Sequence, residues 1–214
     1  MKTFVTFFLL TVKIISQSIP FPLDTIVAND KFNNRQTMLF DREGKIRLVY
    51  SSSVGSSSDT REIYYVQEGT DGQFITQQLT NNLNDENYPT ISMDSAGNVH
   101  VGMIGKDPAG GIYQVKYTGN SSGSFTTPVY ITTGGINKAT PASMAGPDGK
   151  VHFVYYTYVT GADNVYYRWY DPADSSLSPE LLLTAGEASG DVDAQIVFDS
   201  QGFMHFVFKA GTVS

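Results

Sequence analysis

Apolar residues in this chain come in short runs that recur at a fixed interval. The runs TMLFD (37–41), TISMD (90–94), ASMAG (142–146) and QIVFD (195–199) are each followed closely by a glycine: Gly44, Gly97, Gly149 or Gly202. A second apolar run comes directly after: IRLVY, VHVGM, VHFVY and MHFVF. The glycines are 53, 52 and 53 residues apart. Tyrosine-rich segments follow in three of the units (63–67, 112–117, 165–170), and then a stretch ending at Leu79-Thr80, Ile131-Thr132 or Leu183-Thr184. Beyond the N-terminus almost no segment has a helical period. Each unit therefore reads as four strands, A to D in chain order, of about five or six residues each. An all-β chain with a period near fifty residues is the signature of a β-propeller of four-stranded blades.

Finer features agree. Neighbouring strand-B positions are both apolar (Leu48/Val49, Phe153/Val154, Phe206/Val207), as expected of strands covered on two faces. The A–B link has the form D-x-x-G. Asp accepts backbone N–H bonds at the start of a turn, and Gly takes the positive φ of a tight hairpin. In the third unit Gly146 holds the Asp position, and Asp148 precedes Gly149 instead. Three residues after the four glycines stand Arg47, His100, His152 and His205, a column that contains all three histidines of the chain.

Residues 1–18 read as a secretory signal peptide. Lys2 makes the positive start, Phe4 to Val12 the apolar stretch, and Ser16 and Ser18 suit cleavage before Ile19. The apolar stretch is shorter than the roughly 20 residues a membrane span needs. Export is thus expected, with no membrane attachment after cleavage. There are no cysteines, so an exported chain must rely on core burial, which stacked repeats supply. Loss of Lys2 and Lys13 with the signal leaves a net charge near −9. That excludes nucleic acid and anionic membrane surfaces, which call for a basic footprint.

The period places blades near 28–80, 81–132 and 133–184, with a partial unit at 185–214, all within a domain spanning 19–214. A closed propeller has roughly four to eight blades, so three and a half make an incomplete ring. The expectation is a piece of a longer protein, with missing blades or further chains needed to close the ring. Residues 20–27 fall in a strand-D column (Phe21 with Phe74, Ile26-Val27 with Leu79-Thr80) and read as a strand that closes such a ring. An exposed strand edge predicts self-association of the isolated chain.

The repeat P-x-I-x-x-D-x-x-G-x-V-H-V, best seen as PTISMDSAGNVHV at 89–101, resembles repeats of secreted bacterial propellers of the sialidase-like group. The resemblance covers residues 20–214 and is one of fold. It departs from true sialidases in lacking S-x-D-x-G-x-T-W boxes and an F-R-I-P segment. Their chemistry, which needs an arginine cluster and a Tyr/Glu nucleophile pair, has no visible counterpart here.

The histidines and the hairpin aspartates (Asp41, Asp94, Asp199) recur once per blade. They read as scaffold, the aspartates as turn caps and the histidines as polar contacts such as those between blades. Neither a metal site nor a cofactor is expected from them, since zinc ligands must converge on one ion. Candidate binding residues are instead non-periodic polar side chains: Arg35, Asp85, Glu86 and Tyr88 in D–A loops, with Arg61, Asp107 and Asp163 near B–C loops. Asp191 and Asp193 carry a possible hard-cation reading. The function expected is a non-catalytic extracellular scaffold or binding module for glycan or protein. The alternative is a sialidase-like glycoside hydrolase with part of its catalytic set in missing blades.

Overall fold

The computed structural model describes residue 26 and residues 33–53, 60–82, 84–108, 111–157, 163–184 and 192–209. The signal-peptide reading, and all of 20–27 except Ile26, lie outside the described residues. Three antiparallel sheets run in chain order. Blade 1 is β1 (Asn33–Phe40), β2 (Ile46–Ser53), β3 (Arg61–Glu68) and β4 (Phe74–Gln78). Blade 2 is β5 (Glu86–Met93), β6 (Val99–Lys106), β7 (Tyr113–Gly119) and β8 (Val129–Tyr130). Blade 3 is β9 (Lys138–Ala145), β10 (Val151–Thr157), β11 (Val165–Tyr170) and β12 (Leu181–Leu182). A fourth sheet holds β13 (Val192–Phe198) and β14 (Met204–Lys209). The fold is an incomplete β-propeller ring of about three and a half blades.

The first strands of successive blades lie side by side and are stitched together. Thr37 Oγ1 donates to the Pro89 carbonyl at 2.9 Å, and the Ala145 N–H donates to Ser92 Oγ at 3.1 Å. Strand A is therefore the inner strand. The apolar cores lie between blades. Val49, Ile63 and Tyr65 meet Ile91, Val101 and Met103; Val115 and Tyr117 meet Phe153 and Tyr155; Val154 and Val165 meet Ala194 and Ile196. Each inner blade is thus apolar on both faces because it has two neighbours. Ile26 packs on the other face of blade 1, beside Leu48, Tyr50 and Val66.

The outer strands are shorter than the sequence suggests, two residues each in blades 2 and 3. The recurrent aliphatic-Thr pair finishes their pairing. Leu79, Ile131 and Leu183 donate their N–H to the carbonyls of Ile63, Val115 and Val165 at 2.8, 2.8 and 2.9 Å. The following Thr80, Thr132 and Thr184 accept the N–H of those same residues on Oγ1, at 2.8, 2.9 and 3.1 Å. A side chain thus replaces a strand at the rim and pairs the buried N–H groups of Ile63, Val115 and Val165.

The A–B hairpins follow the expected chemistry. Gly44, Gly97, Gly149 and Gly202 have φ of +78°, +90°, +80° and +84°. Asp41, Asp94 and Asp199 each accept two turn N–H groups on Oδ1, at 2.8–2.9 Å. The histidine column is corrected in one respect: its bonds lie within a blade, not between blades. His100 bridges Asp94 (3.3 Å) and the Tyr117 hydroxyl (2.9 Å), and His152 bridges Asp148 (2.9 Å) and the Tyr167 hydroxyl (2.8 Å). The displaced Asp of the third unit thus makes the same clamp from a different position.

Gly102 leaves room in blade 2 for the Phe153 ring of blade 3. A Cβ there would lie 2.7 Å from Thr90 Cγ2 and 3.1 Å from Phe153 Cε1. Gly102→Ala is expected to destabilise the fold by about 1–3 kcal/mol through overpacking. Urea titration checks this; an unchanged midpoint would show that the seam yields freely.

Candidate functional site

All four inner strands break their ladder at the same point. Register shifts fall between Asn34 and Gln36 in β1, between Asn87 and Thr90 in β5, opposite Val154–Tyr156 in β9, and between Val192 and Gln195 in β13. At each bulge one non-glycine residue is left-handed: Arg35 (φ +46°), Tyr88 (+50°), Thr140 (+33°) and Asp193 (+57°). These four positions are 53, 52 and 53 residues apart, so the strain belongs to the repeat while the side chain changes from blade to blade. A left-handed non-glycine residue costs about 1–3 kcal/mol, and such strain clusters at functional sites. Bulges also re-aim a side chain out of the sheet.

The four residues surround one axial pocket of about 230 Å³, with Gln36 and Gln195 also in its wall. Arg35 donates to the Tyr88 hydroxyl at 3.0 Å, and its guanidinium carbon lies 4.4 Å from the Tyr88 ring centre. Tyr88 is also a wall of a second cleft of about 400 Å³, which runs between blades 2 and 3 and is lined by Arg61, Tyr113, Asn137, Lys138 and Tyr156. Burial raises the pKa of the Tyr156 phenol, and the nearby Asp193, Tyr88 and Asp163 add to the effect. Asp193 and Asp163 thus act on the Tyr156 phenol without lining the cleft themselves.

The expected site residues divide in two. Arg35 and Tyr88, placed by sequence in D–A loops, instead sit on inner strands and touch each other at the pocket. Arg61 borders the cleft but is committed internally. Its Nε donates to Asp85 Oδ1 at 2.7 Å and its NH2 to Oδ2, which also accepts the Tyr113 hydroxyl. Asp85 is 1% exposed. Burial alone would raise its pKa, but hydrogen bonds from Arg61 and Tyr113 hold it below the usual carboxylate value. This triad fixes the Tyr113 ring in the cleft wall, so Asp85 acts on the site from behind it. Burial, then the Asp85 carboxylate, pushes the Tyr113 phenol up to about 12.

Glu86 is not a loop charge. It is fully buried in β5 and paired with Lys116 Nζ at 2.7 Å. Asp107 closes the turn after β6, its N–H donating to the Ile112 carbonyl at 2.9 Å and its Oδ1 facing the Ile112 N–H. Asp191 lies outside the described residues, so the hard-cation reading rests on Asp193, which faces the axial pocket.

Thr140, Tyr113, Asn137, Lys138 and Tyr156 were missed. A usable signal existed for Thr140 and Tyr88, since each immediately precedes a proline in the inner-strand column (Pro89, Pro141). That column is regular in spacing and irregular in chemistry.

No protein-family model matches this chain, and no curated protein matches it in sequence. Solved structures do. An ulvan lyase of polysaccharide lyase family 25, bound to -[GlcA(1-4)Rha3S]-, superposes with a TM-score of 0.53 at 15% identity over 82% of this chain and 51% of the lyase. A thermostable family-43 glycoside hydrolase gives 0.52 at 12% identity over 82% of this chain and 64% of the hydrolase. The likeness is one of fold. This chain spans only about half to two-thirds of the length of those proteins.

Proposed function

We propose that this chain is a glycan-binding propeller that holds a sugar in the axial pocket and extends the bound chain into the cleft beyond Tyr88. The observation that carries this reading is the ring of four strained bulge residues, each of different chemistry, around one pocket. Arg35 offers only donors and Asp193, when ionised, only acceptors, while Tyr88, Thr140 and the two glutamines offer both. Sugar hydroxyls are at once donors and acceptors and need this mixture. Tyr88, Tyr113 and Tyr156 add ring faces for the apolar side of a pyranose. Two proteins of like fold are named for activity on polysaccharides or glycosides, which supports the substrate class.

Binding is favoured over hydrolysis by the carboxylates. Two-carboxylate glycoside hydrolysis needs a pair about 5–10 Å apart across the scissile bond. Asp193 is the one carboxylate lining the axial pocket among the described residues. Export, as the N-terminal residues suggest, would bring the site to extracellular glycans.

A glycan array followed by calorimetry tests the reading. Arg35→Ala and Tyr88→Phe are each expected to weaken the best ligand about tenfold, the equivalent of ~1.4 kcal/mol for a lost hydrogen bond. Affinities unchanged by both substitutions would move the site elsewhere. Turnover of a fluorogenic glycoside that disappears in Asp193→Asn would replace the binding reading with the hydrolase.

A further inference from the structure

Blade 1 departs from the repeat at one place on its outer rim. Its Leu79-Thr80 pair makes the same backbone bonds as Ile131-Thr132 and Leu183-Thr184. The residues on either side of that pair differ. Blade 1 reads QQLTNN at 77–82, where blade 2 reads VYITTG at 129–134 and blade 3 reads LLLTAG at 181–186. Two blades thus build this rim without an amide side chain. The architecture therefore does not call for the four amides of blade 1.

Those amides form one wall of a cleft of about 360 Å³ between the rims of blades 1 and 2. The loop from β7 to β8 forms the other wall, with the Thr126 and Thr127 hydroxyls beside the apolar Phe125 and Pro128. Phe125 is held against Tyr65, ring centres 5.0 Å apart. Lys116, its side chain 7% exposed, reaches the cleft from β7 and donates to Glu86 at 2.7 Å. Two of the amides are fixed from within. Gln78 Nε2 donates to the Thr80 carbonyl at 2.7 Å. Asn82 Nδ2 donates to Glu86 Oε1 at 2.9 Å, and its Oδ1 accepts the Asn84 N–H at 2.6 Å. Gln77 and Asn81 are exposed, and their side chains bond no described residue.

We propose that this rim cleft is a second sugar site, which takes a neutral unit of a glycan. A carboxamide offers a donor and an acceptor side by side, the pattern that two adjacent sugar hydroxyls satisfy. Phe125 and Pro128 supply the apolar surface that small-ligand clefts combine with a few placed polar groups. The cation in the cleft is already engaged by Glu86, and no carboxylate is among the lining residues. Neither an acidic nor an amino sugar is therefore favoured. A peptide would present its donors and acceptors as a ladder along one line, whereas here they stand on two facing walls. In ligand class the proposal rests on the glycan reading of the axial pocket, but the two sites share no lining residue.

The probes are cellopentaose, xylopentaose, mannopentaose and galactopentaose, with pentagalacturonate as the charged counterpart. Each is titrated into the full chain while the side-chain amides of Asn and Gln are followed by nitrogen-15 NMR. At least one neutral sugar is expected to move the Gln77 and Asn81 signals saturably, and the galacturonate to do so less. Gln77→Ala and Asn81→Ala should each weaken that response about fivefold, the equivalent of ~1 kcal/mol for a lost hydrogen bond. Both residues are exposed, so the urea midpoint should stay in place. Arg35→Ala should leave the rim signals responsive. The proposal is overturned if no neutral sugar moves Gln77 and Asn81 at millimolar concentration, or if the galacturonate moves them more. A response lost in Arg35→Ala would place the contact in the axial pocket and overturn it as well. So would a shift caused by tetraglycine and by none of the sugars, which would make a peptide the occupant. Gln36 and Gln195 report the axial pocket separately: rim signals that move while these two stay still would sink the axial reading alone.

Discussion

Lys116→Met is expected to lower unfolding free energy by about 3–5 kcal/mol near pH 8, the usual cost of removing one partner from a buried ion pair. Lys116 enters the seam between blades 1 and 2 through a gap left by Gly105. A Cβ there would lie 2.6 Å from Lys116 Cδ and 3.1 Å from Glu86 Cγ. Its ammonium meets Glu86 Oε1, which also accepts Asn82 Nδ2 at 2.9 Å. The Asn82 N–H in turn donates to Glu62 Oε1 at 2.8 Å. Both carboxyls are fully buried, and Glu62 Oε2 and Glu86 Oε2 have no hydrogen-bond partner among the described residues. One lysine cannot neutralise two carboxylates. A single proton between them removes the excess charge and converts two orphaned acceptors into a hydrogen bond.

Burial first, with the Glu86 charge adding to it, raises the Glu62 pKa from 4.5 to about 7, while bonds from Thr80 and Asn82 offset part of the rise. The native state therefore holds this proton more tightly than the unfolded chain. The stability this group contributes is full below pH 4.5 and is lost as pH rises to about 7. A shift of this size corresponds to roughly 3 kcal/mol. His100 acts in the opposite sense. Burial lowers its pKa below 6.5, so its protonation destabilises the fold as pH falls. The readout is accordingly the difference between the unaltered chain and Glu62→Gln, measured by urea unfolding from pH 5 to pH 8. That difference should change by a few kcal/mol, with the unaltered chain gaining relative to the variant toward pH 5. A flat difference would show that the carboxyls do not share a proton. The Lys116→Met penalty should likewise shrink at pH 5.

Phe153→Ala is expected to cost about 3–5 kcal/mol, as large-to-small changes at fully enclosed aromatic sites do. Phe153 is 0% exposed and fills the seam between blades 2 and 3. Its ring meets Tyr117 edge-on, with centres 6.2 Å apart and an 83° angle, and lies over the hollow at Gly102. Phe153 is not among the residues that line the axial pocket, so glycan affinity per folded molecule should be unchanged. A loss below about 1 kcal/mol would mean that the cavity collapses, which close packing across two rigid sheets does not allow.

The blades, their order and their hairpins were legible in the sequence because their causes are local. Asp41 reaches the Glu43 and Lys45 N–H groups within its own turn, and Gly44 supplies the positive φ there. Apolar runs on both sides of such a turn, repeated at one spacing, leave few arrangements other than stacked sheets. Arg35 and Tyr88 were also picked out, as polar residues that break the repeat. The sequence did not show that they meet, since 53 residues separate them and only the side-by-side inner strands bring them together. Nor could it show that the loop-like charges Asp85 and Glu86 are internal. Whether an acid is solvated or buried depends on what a strand distant in sequence places opposite it, here Arg61 from β3 and Lys116 from β7. The same holds for the histidines. Their column was plain, but the tyrosine that completes each clamp lies on the next strand, and pairing across strands is decided by register. Local hydrogen bonding and spacing thus determined the architecture, while the chemistry of the pocket and the seams arose only from contacts between strands far apart in sequence, within a blade and between blades.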